Sequence, residues 1–220
     1  MFWSIIVLAL VAATPTQAVT YSVTNNAANT AGGARFDTEI GADYSISVLS
    51  SATDFIWGVF NEDQDSQRKS IDHISMFVDD MDGVAYSIND EIHVSGRYIN
   101  GYSGDVKWEI TGVLYHEMTH QWQWNGNGQT PGGLIEGIAD YVRLKAGYAP
   151  SHWVSDGEGD RWDQGYDVTA RFLNYCDGLQ GGFVGHLNEK MKDGYTVDFF
   201  VELLGKSVDQ LWADYKANYA

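Results

Sequence analysis

Two stretches constrain this chain more than any others: "GVLYHEMTHQWQW" at 112–124 and "GLIEGIADYVRLKA" at 133–146. Neither contains proline, both read as helices, and the breaker-rich "NGNGQTPGG" lies between them. Each carries two reactive side chains four positions apart, His116 with His120 and Glu136 with Asp140. Residues four apart lie one above the other on a helix, so both imidazoles can face a single ion. Zinc takes such nitrogens at about 2.0–2.1 Å. Glu117 stands about 100° round the helix, out of reach of that ion but within reach of a water on it. The pattern H-E-x-x-H thus joins two ligands to a general base. A catalytic zinc needs a third protein ligand and one open position. Glu136 is the candidate for that ligand, and Asp140 the candidate acceptor for the second N–H of a ligand histidine. Asp140 as ligand with Glu136 in support is the alternative. A histidine six positions past His120 would give another spacing, but that position is Gly126.

The rest of the chain must position these helices. It has 220 residues with 44% hydrophobic and 14% aromatic content, which fits one globular domain with a sizeable core. A formal net charge of −17 excludes nucleic acid and anionic membrane as expected partners. The apolar run from Ile5 to Ala13, with Pro15 and Ala18 after it, has the shape of a secretory signal peptide, although no Lys or Arg precedes it. The expected organisation is a signal peptide over 1–18 and a single domain over 19–220, secreted and monomeric. Cys176 is the sole cysteine and is expected as a buried small hydrophobe.

Alternation predicts strands at 19–25, 73–80, 83–88 and 91–96. "NNAANTAGGAR" reads as a loop, and 35–61 as one or two helices. Asp105 is the expected N-cap of the helix over 105–124 and Asn125-Gly126 its stop. Later helices are expected at 163–176, 179–193, 197–205 and 207–218. Strands early and helices late predict an α+β fold, a small mixed N-terminal sheet packed on helices with a mainly helical C-terminal half. "EIHVS" is expected at a sheet edge able to pair with an extended substrate, and His93 within it as a strand residue rather than a ligand.

"YHEMTHQWQWNGNGQTPGGLIEGIADYVRLKAGYAPSHW" closely resembles the plant basic secretory protein family, grouped with zincin-like peptidases of plants and bacteria. "FIWGVF", "SMFVDDMDGVAY", "GDRWDQGYDVTARFL" and "FFVELLGK" extend the likeness over essentially the whole mature chain. The resemblance implies a zincin-like fold and a secreted, metal-dependent, protease-like protein of the apoplast or cell wall, linked to plant defence. The pairing of two histidines and a glutamate with an E-x-x-x-D helix also resembles the gluzincin group. The departure is charge, since this chain is strongly acidic.

The expected chemistry is hydrolysis of a peptide or protein substrate by zinc-activated water, with Glu117 as general base. Tyr166, His152 and Tyr148 are the candidate oxyanion donors, Tyr166 foremost. "DDMDG" lacks carboxylates where a calcium loop needs them and reads as a turn. Two other readings stand beside the peptidase: a non-enzymatic defence protein with a structural zinc, and a glycan-binding module using tryptophans such as Trp122 and Trp124.

Overall fold

Residues 18–220 are described by a computed structural model, so the expected signal peptide lies outside the described residues except for Ala18. Alternation builds the sheet. In β2 (His73–Asp79), Ile74, Met76 and Val78 are buried and their neighbours are not, and β4 (Glu91–Ser95) repeats the pattern with Ile92 and Val94. With β1 (Thr20–Asn25) and β3 (Ala85–Ile88) they form one four-stranded sheet of order β1-β2-β4-β3. β1 pairs parallel with β2 and β2 parallel with β4, whereas β3 runs antiparallel to β4.

That order corrects one expectation. β4 is paired on both sides, and the edge beyond it is β3. The two residues between β3 and β4, Asn89 and Asp90, both have positive φ, as a tight hairpin turn requires. Such a turn obliges β3 to take one side of β4, and β2 holds the other.

Helices α1 (Ala31–Glu39) and α2 (Ala42–Val59) fill the crossover that parallel β1 and β2 need. The predicted loop therefore ends earlier than expected, at Ala31. Thr30 caps α1 by accepting from the Gly33 N–H, and a Cβ on Gly33 would sit 2.0 Å from the Ala27 carbonyl oxygen. The glycine pair marks a close backbone approach rather than a chain break. A six-residue helix that the sequence did not reveal, α3 (Gly96–Gly101), follows β4 directly and is capped by Ser95.

The remaining helices are α4 (Val106–Trp122), α5 (Gly132–Lys145), α6 (Tyr166–Leu179), α7 (Phe183–Lys190), α8 (Phe199–Leu204) and α9 (Val208–Asn218). The fold is α+β with a helical C-terminal half, as expected. Asp105 caps α4 by accepting from the Trp108 N–H, and α4 stops at Trp122, before the predicted Asn125-Gly126.

α4 is the centre of the molecule. It packs on α2, α5 and β3, and most of its residues are buried. Trp122 is fully buried, its ring 5.1 Å from that of Trp57 and its N–H 3.3 Å from Thr53 Oγ1. A ring enclosed this way is unable to stack on a sugar, and trimming such an aromatic to alanine costs about 3–5 kcal/mol. Cys176 is likewise buried, and burial pushes its thiol well above the usual range. "DDMDG" forms a turn whose Asp80 and Asp82 both bind Arg97. Among the described residues no helix is long and apolar enough to cross a membrane.

Candidate metal centre

The loop between α4 and α5 reverses the chain, and the two helices pack face to face. Glu136 and Asp140 are thereby brought opposite the histidines of α4. α5 is held from behind by α6, so closely that a Cβ on Gly137 would meet Thr169 Cγ2 at 2.2 Å. Glycine next to Glu136 is what lets α6 support α5 at this depth.

His116 Nε2 lies 3.0 Å from His120 Nε2 and 3.2 Å from Glu136 Oε2, and His120 Nε2 lies 3.5 Å from the same oxygen. Two ligand atoms about 2.0–2.1 Å from a tetrahedral zinc are about 3.3 Å apart. The triangle of side-chain atoms therefore has the dimensions of one face of such a site, and two nitrogens with a carboxylate oxygen are a donor set that zinc accepts. Among the described residues, His116, His120 and Glu136 form the group whose donor atoms all fall within 4.8 Å of one another. Asp140 sits elsewhere. Its Oδ1 is 2.6 Å from His116 Nδ1, the nitrogen turned away from the triangle.

The electrostatics agree with that division. Burial disfavours charge on His116, but the hydrogen bonds to Asp140 and Glu136 outweigh it and raise the pKa to about 10. Burial also acts to raise the pKa of Glu136, yet its hydrogen bonds to the two histidines prevail and hold the carboxyl well below the usual range. A protonated His116 and a divalent cation thus compete for the same carboxylate.

Glu117 is 5% exposed, and Ser87 Oγ on β3 lies 2.8 Å from its Oε2. These groups line a cleft of about 870 Å³. One wall is Val84–Ser87, from the edge strand and the residue before it, and another carries His152, Trp153 and Tyr166. Deeper in, Arg143 Nη2 pairs with Glu109 Oε2 at 3.0 Å, both largely buried.

Tyr166, the first residue of α6, has φ +47, a conformation that non-glycine residues adopt at a cost. It follows Gly165, which also has positive φ. The turn leaves Tyr166 57% exposed, its ring nearly parallel to that of His116 with centroids 6.2 Å apart. The neighbouring Glu136 carboxylate, then burial, raises the pKa of its phenol, which keeps the proton on the oxygen. His152 also reaches the cleft. Tyr148 does not line it, and its ring packs 5.2 Å from Tyr115. His93 is a strand residue as expected, its ring stacked between Phe77 and Tyr86 and its Nδ1 2.6 Å from Asp79 Oδ2.

Sequence reasoning missed two contacts at the centre. Ser87 reaches Glu117 across 30 positions, a pairing with no local signal. Gln123 Nε2 lies 2.6 Å from His120 Nδ1, and its place three positions after His120, just past the end of α4, was a usable signal.

The profile of a family described as peptidases of plants and bacteria matches residues 16–215. A basic secretory protease from Boswellia serrata is 47% identical over 58 residues, covering 26% of this chain and 66% of that protein, just under two thirds of its length. No solved structure matches.

Proposed function

The chain belongs to the family of peptidases of plants and bacteria, and from that premise we propose that it is a secreted zinc peptidase with a zincin-like active site. The observation that carries this reading is the His116–His120–Glu136 triangle, with edges of 3.0, 3.2 and 3.5 Å, beside a buried glutamate. His116, His120 and Glu136 hold the metal. Bound there, zinc supplies a Lewis acid for the scissile carbonyl and lowers the pKa of a water to about 7.

The chain's own groups do the rest. Asp140 accepts the Nδ1–H of His116, which fixes the tautomer and leaves Nε2 free to bind. Ser87 donates to one carboxylate oxygen of Glu117 and leaves the other to take a proton from the attacking water. Glu117 then returns that proton to the leaving amine. Tyr166 donates to the oxygen on which negative charge develops. The edge strand β3 offers backbone groups to an extended substrate, a role first expected of β4. Secretion is supported by the likeness to a protein named as secretory, and a part in extracellular defence is carried over from the resemblance to the plant basic secretory proteins.

The deciding experiment is cleavage of a broad peptide library by the purified mature protein, with and without a chelator, alongside elemental analysis. Stoichiometric zinc and chelator-sensitive cleavage are expected. Stoichiometric zinc without cleavage would instead favour the structural-zinc defence protein.

Tyr166→Phe tests the donor role separately. Loss of one oxyanion donor lowers kcat by about 10²–10³-fold. With the ring retained, KM and zinc content should stay close to native. An unchanged kcat removes Tyr166 from the mechanism and turns attention to His152.

A further inference from the structure

An imidazole has two nitrogens, and the partner of one decides what the other can do. A neutral ring that gives Nδ1–H to an acceptor keeps a lone pair on Nε2. His116 has such an acceptor in Asp140. At His120 the corresponding neighbour is no carboxylate but the amide of Gln123, one terminal atom of which lies 2.6 Å from Nδ1. Gln123 is 3% exposed, and its carbonyl oxygen Oε1 is buried without a partner.

An amide N–H aimed at Nδ1 has two faults. It sends the proton of a neutral His120 to Nε2, where it points at His116 and Glu136, and it strands the carbonyl oxygen. Turning the same flat amide over reverses the first fault and gives the oxygen a partner, because the oxygen then accepts Nδ1–H and Nε2 is left bare, while the amide NH2 takes the oxygen's former place.

We propose that Gln123 is a positioning residue of the metal centre, its amide oxygen accepting the Nδ1–H of His120 and so presenting His120 Nε2 to a divalent cation. This rests on the reading of His116, His120 and Glu136 as ligands.

The local fold supports the role. Gln123 is the first residue past α4, with extended backbone at φ −69 and ψ 142, and its N–H still bonds to the Thr119 carbonyl. Standing three positions after His120, its side chain folds back over the last turn onto that ring. Its neutrality matters as well. Glu117, Glu136 and Asp140 already bring three carboxylates to bear on His116. An amide orients the second imidazole without adding a fourth.

The test compares zinc affinity of the native chain, Gln123→Met and Gln123→Glu by competition with a chromophoric chelator. Circular dichroism and thermal melting of the metal-free proteins check that each folds. Gln123→Met keeps the length of the side chain but lacks the oxygen, and should bind zinc about 10–100-fold more weakly. Gln123→Glu restores an acceptor and should bind at least as tightly as native. Equal affinity in all three proteins overturns the inference, and so does an equal loss in both variants, which would mark a packing role.

A second readout needs no variant. Nitrogen-15 NMR of the native zinc-loaded protein should find the His120 proton on Nδ1, and a proton on Nε2 overturns the inference by itself. A native chain that binds no zinc sinks the ligand reading and this inference together, whereas zinc bound alike by native and Gln123→Met proteins sinks this inference alone.

Discussion

Glu117→Gln should abolish peptide hydrolysis while leaving zinc bound. The substitution changes almost nothing but the ability to take a proton. The side chain keeps its length, its place on α4 and an oxygen able to accept from Ser87 Oγ. The donor atoms of His116, His120 and Glu136 are untouched, and Glu117 is not part of that group. A general base contributes about 10²–10⁴-fold to rate, so kcat should fall by that factor. The check is kcat on a peptide taken from the library screen, together with moles of zinc per chain. Full activity in this variant refutes the base assignment outright. Lost activity accompanied by lost zinc refutes the claim that the two roles are separable.

That separation was legible in the sequence because it depends on local geometry alone. Spacing of four on one helix places His116 with His120, and a turn of about 100° sets Glu117 aside. The pair on α5 was legible for the same reason, and Asp105 was found as a cap because its partner lies three residues away. What the sequence hid depends on parts of the chain distant in number. β3 rather than β4 is the edge because of how β2 pairs, and Ser87 meets Glu117 only because β3 lies against α4. Gly33 read as a loop signal because nothing in the sequence reports the Ala27 carbonyl that excludes a side chain there. Tyr166 was chosen from its residue type and its motif. The positive φ that turns its ring towards His116 is a property of the folded turn.

Glu136→Ala should cost the chain its zinc, and the pH dependence of zinc binding should show why. Removal of the carboxylate leaves two nitrogens 3.0 Å apart and no third protein ligand, since Asp140 is engaged at His116 Nδ1. Affinity in this variant should drop by at least the 10–100-fold that loss of even an outer partner produces. Native affinity in the variant would transfer the ligand role to Asp140. In the native chain, Glu136 and Asp140 together outweigh burial and raise the pKa of His116 to about 10, so near neutral pH the ring carries a proton that a cation must displace. Zinc uptake at pH 7 should therefore release close to one proton from His116, and affinity should fall about tenfold for each unit that pH is lowered. The sign is fixed because the group is protonated below its raised pKa and must be neutral to bind. Titration calorimetry in buffers of different ionisation enthalpy measures that proton directly. Glu136 adds none, because the histidines hold it ionised well below the usual carboxylate range. If zinc enters at pH 7 with no proton released, then His116 is already neutral there, and the carboxylates of α5 do not govern the charge of the histidine they face.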